Sequence, residues 1–195
     1  MKFDYVPPVE KRRNRLTMNY VRDYCQKLFD GFVDKAGAPY YKHCEFVGET
    51  AYRFALSELG MNKEDANVIR MAGYLHDVVE DTDISVDELA ETFTPQIAGV
   101  VKLLTKENGL SHKRYIARLM DDRFATVVKY ADSLHNSMIE RFPEEQRDKH
   151  RKKKCLDYLE QCSRSQRCLY CKILLSLEEI AYLHQHVLAG LDGGQ

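Results

Sequence analysis

Between His76 and Glu91 the chain carries seven carboxylates and no lysine or arginine. Packing that much negative charge into sixteen positions costs energy through like-charge repulsion, and a bound divalent cation removes the cost. The stretch opens His76-Asp77-Val-Val-Glu80-Asp81 and follows an apolar run. On a helix, Glu80 lies four residues after His76 and Asp81 four after Asp77, so each pair is expected to share a face. One imidazole and one carboxylate do not hold a catalytic metal alone. Further ligands have to be polar residues set among apolar ones elsewhere in the chain, and two candidates fit. His43 follows Gly37-Ala-Pro39-Tyr40-Tyr41 at the start of a helical pattern, and Asp132 interrupts the apolar stripe of Val128, Ala131 and Leu134. Each also has a plain reading: a histidine at a helix start is often a cap or a surface residue, and a lone mid-helix aspartate usually faces water.

These residues have to be positioned by helices, because helical periodicity dominates the chain. Met18, Val21, Cys25, Leu28, Phe29 and Phe32 recur at spacings of three and four. Val47, Ala51, Phe54, Ala55 and Leu59 do the same before Gly60, a helix C-terminal stop. Asn62 is placed to cap a helix through Ala66, Ile69, Ala72 and Leu75. Ser85-Val-Asp-Glu88 has capping-box spacing. Thr94-Pro95 puts a cap before proline at the first helical position, and Ser111 can cap the next helix. Ala125 to Met138 forms another stripe, and a last helix is expected over about 166–188. No strand, repeat or low-complexity segment stands out. The expectation is an all-α domain of about eight helices over residues 17–190, with an N-terminal arm (1–16) and a fraying tail (191–195).

With 195 residues the chain is of single-domain length and needs no disulfide or metal merely to fold. Twenty-nine Lys and Arg against thirty Asp and Glu argue against a whole-surface nucleic-acid binder. The basic run Arg147 to Lys154 is read as a solvated helix face or a wall that attracts an anionic substrate. The N-terminus has no signal-peptide pattern and no segment is apolar enough to span a membrane, so a cytoplasmic protein with reduced thiols is expected. Cys155, Cys162, Cys168 and Cys171 leave a structural zinc site open, but their spacing matches no standard zinc pattern.

Taken together, the order His43, His76-Asp77, Asp132 and the words GAPYYKH, GYLHDVVEDT and KYADSLHN resemble the HD-domain metal-dependent phosphohydrolases. These words look like the hydrolase domain of the RelA/SpoT alarmone enzymes and the small stand-alone SpoT homologues, where they have the form GEPYxxH, LLHDxxEDT and KLADRLHN. Leu104-Thr105-Lys106 is similar to the family's VTK segment. The resemblance covers roughly residues 20–160. It implies that His43, His76, Asp77 and Asp132 ligate the metal, usually Mn²⁺ in the family, with Glu80 and Asp81 as the catalytic acidic pair. It further implies nucleotide contacts from Lys35 and Asn136, and Tyr40 and Lys129 also match family positions. Four positions depart from the pattern. Asp34 stands where the family has an arginine that stacks on the base, Ser133 where it has arginine, Cys44 where it has proline, and Ile139 where it has a threonine near the ribose. The expected function is a ppGpp-type 3′-pyrophosphohydrolase without synthetase activity. The alternatives are an HD phosphohydrolase acting on another nucleotide such as NADPH, or a non-enzymatic sensor of metal and nucleotide.

Overall fold

Thr17 starts the first helix by accepting the Tyr20 N–H on its side chain, and α1 runs Met18–Leu28 with Val21 and Cys25 buried. The computed structural model describes residues 17–34 and 37–138. The apolar stripe of α1 ends sooner than its spacing predicts. Phe29 is buried as the C-cap, but Gly31 at φ 79° turns the chain, and Phe32 emerges 45% exposed. Helix α2 (Tyr41–Ser57) follows, and Gly60 at φ 58° ends its exit turn as the stop signal predicts. Asn62 then caps α3 (Lys63–Leu75), its side chain accepting the Asp65 N–H at 2.8 Å.

Helices α2 and α3 cross where two glycines meet. A Cβ on Gly73 would lie 2.7 Å from the Gly48 Cα, and one on Gly48 would lie 2.3 Å from Cδ2 of Tyr74. Only residues without side chains allow that approach. The crossing carries the start of α2 to the end of α3, which brings His43 beside His76.

Three more expected caps, at Ser85, Thr94 and Ser111, appear where the sequence places them. The one-turn α4 (Val78–Asp81) leads to Ser85, whose hydroxyl and Glu88 form a reciprocal capping box at the head of α5 (Val86–Thr92). Thr94 caps α6 (Pro95–Leu104) with proline in its first turn. Ser111 caps α7 (His112–Met120). Asp122 caps α8 (Arg123–Ser137), accepting the N–H groups of Phe124 and Ala125. Helix α8 packs against α2, α3, α6 and α7 and buries Ala125, Val128, Ala131 and Leu134. The described residues thus form eight helical segments around one apolar core, with an isolated bridge between Val33 and Pro39 as the only β pairing among them. No helix among the described residues is long and apolar enough to cross a membrane. The arm, the tail, the helix expected over 166–188, the basic run, Ile139 and the four C-terminal cysteines lie outside the described residues.

Candidate metal centre

Three helices contribute to the cluster. His43 is in the first turn of α2, His76 caps the C-terminus of α3, and Asp132 is on the inner face of α8. All three are almost fully buried, at 4%, 3% and 4% exposure. His43 Nε2 lies 3.2 Å from His76 Nε2 and 3.4 Å from Asp132 Oδ1, and His76 Nε2 lies 3.8 Å from Asp132 Oδ1. The point equidistant from those three atoms is about 2.0 Å from each, the reach of metal bonds to imidazole nitrogen and carboxylate oxygen (~2.0–2.2 Å). Asp77 lies beside this triad. Its Oδ2 is 2.8 Å from His76 Nε2 and 3.5 Å from His43 Nε2. Two imidazole nitrogens and one carboxylate oxygen around one point, with a second carboxylate beside them, fit a divalent transition metal.

The local chain explains how Asp77 gets there. His76 and Asp77 are not inside one continuous helix: α3 ends at Leu75, His76 caps it, and Asp77 at φ −99° and ψ 0° is the N-cap of α4. The uninterrupted helix expected from His76 to Asp81 is therefore broken. The break lets the side chains of two adjacent residues meet at the cluster, His76 Nε2 to Asp77 Oδ2, whereas consecutive residues of a regular helix do not face each other.

Neighbouring side chains hold each donor in a fixed state. His76 Nδ1 lies 2.8 Å from the Gly73 carbonyl, which can only accept. The proton of neutral His76 therefore sits on Nδ1 and the Nε2 lone pair faces the cluster. Tyr40 donates its hydroxyl to Asp77 Oδ2 at 2.6 Å. Lys129 donates to Asp132 Oδ2 at 2.6 Å, and the Asn136 amide donates to Asp132 Oδ1 at 2.5 Å.

The charges are strongly coupled. In the metal-free protein, burial disfavours protonated His76, but the charge and hydrogen bond of Asp77, helped by Asp132, raise its pKa to about 9. Burial opposes ionisation of Asp77, yet His76 and His43 hold its carboxyl well below the usual carboxylate range. Asp132 is likewise depressed against burial, chiefly by Lys129 and then by His43 and His76. Burial and the adjacent Asp77 push the Tyr40 phenol up, so it stays a donor. Lys129 is raised in spite of its burial because Asp132 faces it, so it stays charged.

The acidic pair lies at the rim. Glu80 is exposed, and its Oε1 accepts the Lys106 backbone N–H from the α6–α7 connection. That connection is itself pinned: Arg118 donates to the carbonyls of Leu103 and Thr105, and the Tyr115 hydroxyl to that of Leu104. Asp81 is raised by partial burial and by the charge of Asp77, with the Tyr40 hydroxyl working the other way.

The structure thus brings His43, His76, Asp77 and Asp132 together, sets Asn136 against Asp132, and leaves Glu80 and Asp81 just outside. Lys35 lies outside the described residues. One nearby residue was not singled out from sequence. His135 Nδ1 lies 2.6 Å from His43 Nδ1. Its position three residues after Asp132 on one helix was the available signal.

A family model described as HD domain matches residues 40–163. Among curated relatives, a probable GTP diphosphokinase RSH3, chloroplastic, of Arabidopsis thaliana is 31% identical over 128 residues, covering 58% of this chain and 16% of the relative. A probable guanosine-3′,5′-bis(diphosphate) 3′-pyrophosphohydrolase of Synechocystis is 33% identical over 113 residues, covering 52% of this chain and 14% of the relative. A guanosine-3′,5′-bis(diphosphate) 3′-pyrophosphohydrolase of Spiroplasma citri is 32% identical over 126 residues, covering 58% of this chain and 16% of the relative. The chain therefore matches only about one-sixth of the length of these relatives. Among solved structures, one described as a metazoan ortholog of SpoT that hydrolyzes ppGpp aligns over 93% of this chain and 98% of its own, with a TM-score of 0.57 and 23% identity. That likeness speaks for the fold.

Proposed function

The chain belongs to the HD-domain family, and from that premise we propose that it is a Mn²⁺-dependent phosphohydrolase that cleaves the 3′-diphosphate of a ppGpp-type nucleotide. Water and the nucleotide would give pyrophosphate and the 3′-hydroxyl nucleotide. The observation that carries the reading is the buried triad of His43, His76 and Asp132 around one point, with Asp77 against His76 and the Glu80–Asp81 pair nearby. The relatives named as ppGpp 3′-pyrophosphohydrolases support the substrate class.

His43 and His76 would supply the nitrogen ligands and Asp77 and Asp132 the oxygen ligands. The ion, when bound, would supply Lewis-acid polarisation of a phosphoryl oxygen and acidification of water. Tyr40 occupies one side of the Asp77 oxygen and orients it. Lys129 holds the second oxygen of Asp132, leaving Oδ1 turned to the ligand cluster and balancing its charge. Glu80, fixed by the Lys106 N–H, and Asp81, whose raised pKa makes it a stronger base than an ordinary aspartate, are the groups to take the proton of the attacking water. Lys35 and Asn136 would contact the nucleotide. A cytoplasmic setting belongs to this reading and is supported by the free thiols Cys25 and Cys44.

A second substrate is favoured by one observation. Asp34 Oδ1 accepts the Ala38 N–H at 3.0 Å, so this side chain braces its own loop instead of stacking on a base. Another nucleotide, NADPH included, is therefore the competing substrate of the same centre. A nucleotide panel assayed with and without Mn²⁺ decides between them. Pyrophosphate release from ppGpp that depends on Mn²⁺ is expected. No turnover of ppGpp beside turnover of another nucleotide would overturn the alarmone assignment.

A further inference from the structure

Each imidazole ligand of the cluster needs its second nitrogen to carry the proton, and the two histidines meet that need differently. His76 uses a backbone carbonyl, whereas His43 Nδ1 faces His135 Nδ1 at 2.6 Å. The two rings are 9° from coplanar and their centroids 4.9 Å apart, the separation of imidazoles that meet nitrogen to nitrogen in one plane. Such a contact is bonding only when one nitrogen carries a proton and the other a lone pair. Phe46 lies against the face of His135, with centroids 4.1 Å apart and planes 14° apart, which keeps the His135 ring in that plane.

Only one arrangement leaves His43 able to ligate. If His135 donated through Nδ1–H, neutral His43 would hold its proton on Nε2, the atom aimed at His76 and Asp132. If His43 donates, its Nε2 lone pair is free for the ion, and the proton of neutral His135 sits on its own Nε2. We propose that His135 is a positioning residue of the metal centre, accepting the Nδ1–H of His43 and so fixing the tautomer in which His43 Nε2 binds the ion. An imidazole here takes the place that a carboxylate or a backbone carbonyl occupies behind most metal-bound histidines. The inference rests on the reading of His43 as a metal ligand and deepens it.

The test compares the wild-type protein with His135→Leu and His135→Asn, because the asparagine amide oxygen can replace the Nδ1 acceptor and leucine cannot. Mn²⁺ affinity, read by titration with the paramagnetic ion, should fall about 10- to 100-fold in the leucine variant and stay near wild type with asparagine. Nitrogen-15 spectra of the metal-free wild type, at a pH where both rings are neutral, should place the His43 proton on Nδ1. A leucine variant that binds Mn²⁺ as tightly as wild type, or a His43 proton found on Nε2, overturns the proposal. Should the leucine variant not fold, the proton's location in the wild type decides alone. A wild-type protein that binds no Mn²⁺ overturns the metal reading itself, and so is distinguished from failure of the His135 role.

Discussion

Gly48 and Gly73 meet backbone to backbone at the crossing of α2 and α3, and that contact sets the 3.2 Å separation of His43 and His76. Gly73 lies three residues before His76 and Gly48 five after His43, so a spacer at the crossing acts directly on the ligand cluster. In Gly73→Ala the new methyl would meet the Gly48 Cα at 2.7 Å, with helix backbone on both sides and no flexible side chain to yield. The variant is expected to lose about 1–3 kcal/mol of stability through overpacking. It should also bind Mn²⁺ more weakly, because the two imidazoles move apart. Thermal unfolding and a metal titration check both parts. A destabilised protein with unchanged metal affinity would show that the crossing serves packing alone.

Metal should stabilise the fold through the same cluster. An ion that binds only the folded chain adds about 2.7 kcal/mol at a hundred times its dissociation constant. The unfolding midpoint should therefore rise with added Mn²⁺ and fall back with chelator. His76→Ala and Asp132→Ala should abolish the response, since each removes a donor from the central triangle. Asp132→Ala carries a second cost, because it leaves the Lys129 ammonium without the carboxylate it now faces. A midpoint shift that survived both substitutions would place the ion elsewhere.

Protons should compete with the ion at His76. In the metal-free protein its folded-state pKa of about 9 stands above the ordinary 6.5, the pull of Asp77 having overcome burial. The proton is held by the folded chain and released by the unfolded one between those values. This contribution to stability is complete below about 6.5 and disappears as the pH climbs to about 9. Metal needs the same Nε2 lone pair, so its affinity should rise with pH across that window, with a proton released on binding. Calorimetric titrations in buffers of different ionisation enthalpy measure that release. A metal affinity independent of pH there would separate His76 from the ion.

Local signals carry through to the structure and longer-range ones do not. The caps at Asn62, Ser85, Thr94 and Ser111 stand as read, because each depends on a hydrogen bond reaching no further than three residues. His43, His76 and Asp132, three of the residues marked out by their order and surrounding words, lie within metal-binding reach of one another, and Asp77 lies against His76. The break at His76 and Asp77 escapes periodicity because those residues keep near-helical backbone angles and look helical by pattern. Phe32 continues the α1 spacing but lies beyond a turn at Gly31 that the pattern does not register. The partners of the ligands are the least legible. Tyr40 on Asp77 spans 37 positions and His135 on His43 spans 92, and only the folded arrangement of α2, α3 and α8 creates those contacts.

Glu80 separates binding from chemistry. Its carboxylate reaches none of the four donors; it accepts the Lys106 N–H from a connection that Arg118 and Tyr115 hold in place. In Glu80→Gln the amide oxygen can keep that hydrogen bond while the group loses its charge and its basicity. Mn²⁺ affinity and the unfolding midpoint should stay near wild type. Turnover should drop about 10²- to 10⁴-fold, the usual contribution of a positioned general base. The loss should appear in kcat more than in KM, because substrate binding does not require proton transfer. If turnover persists with metal bound, the proton passes to Asp81, the other half of the pair, and Asp81→Asn should then show the loss instead.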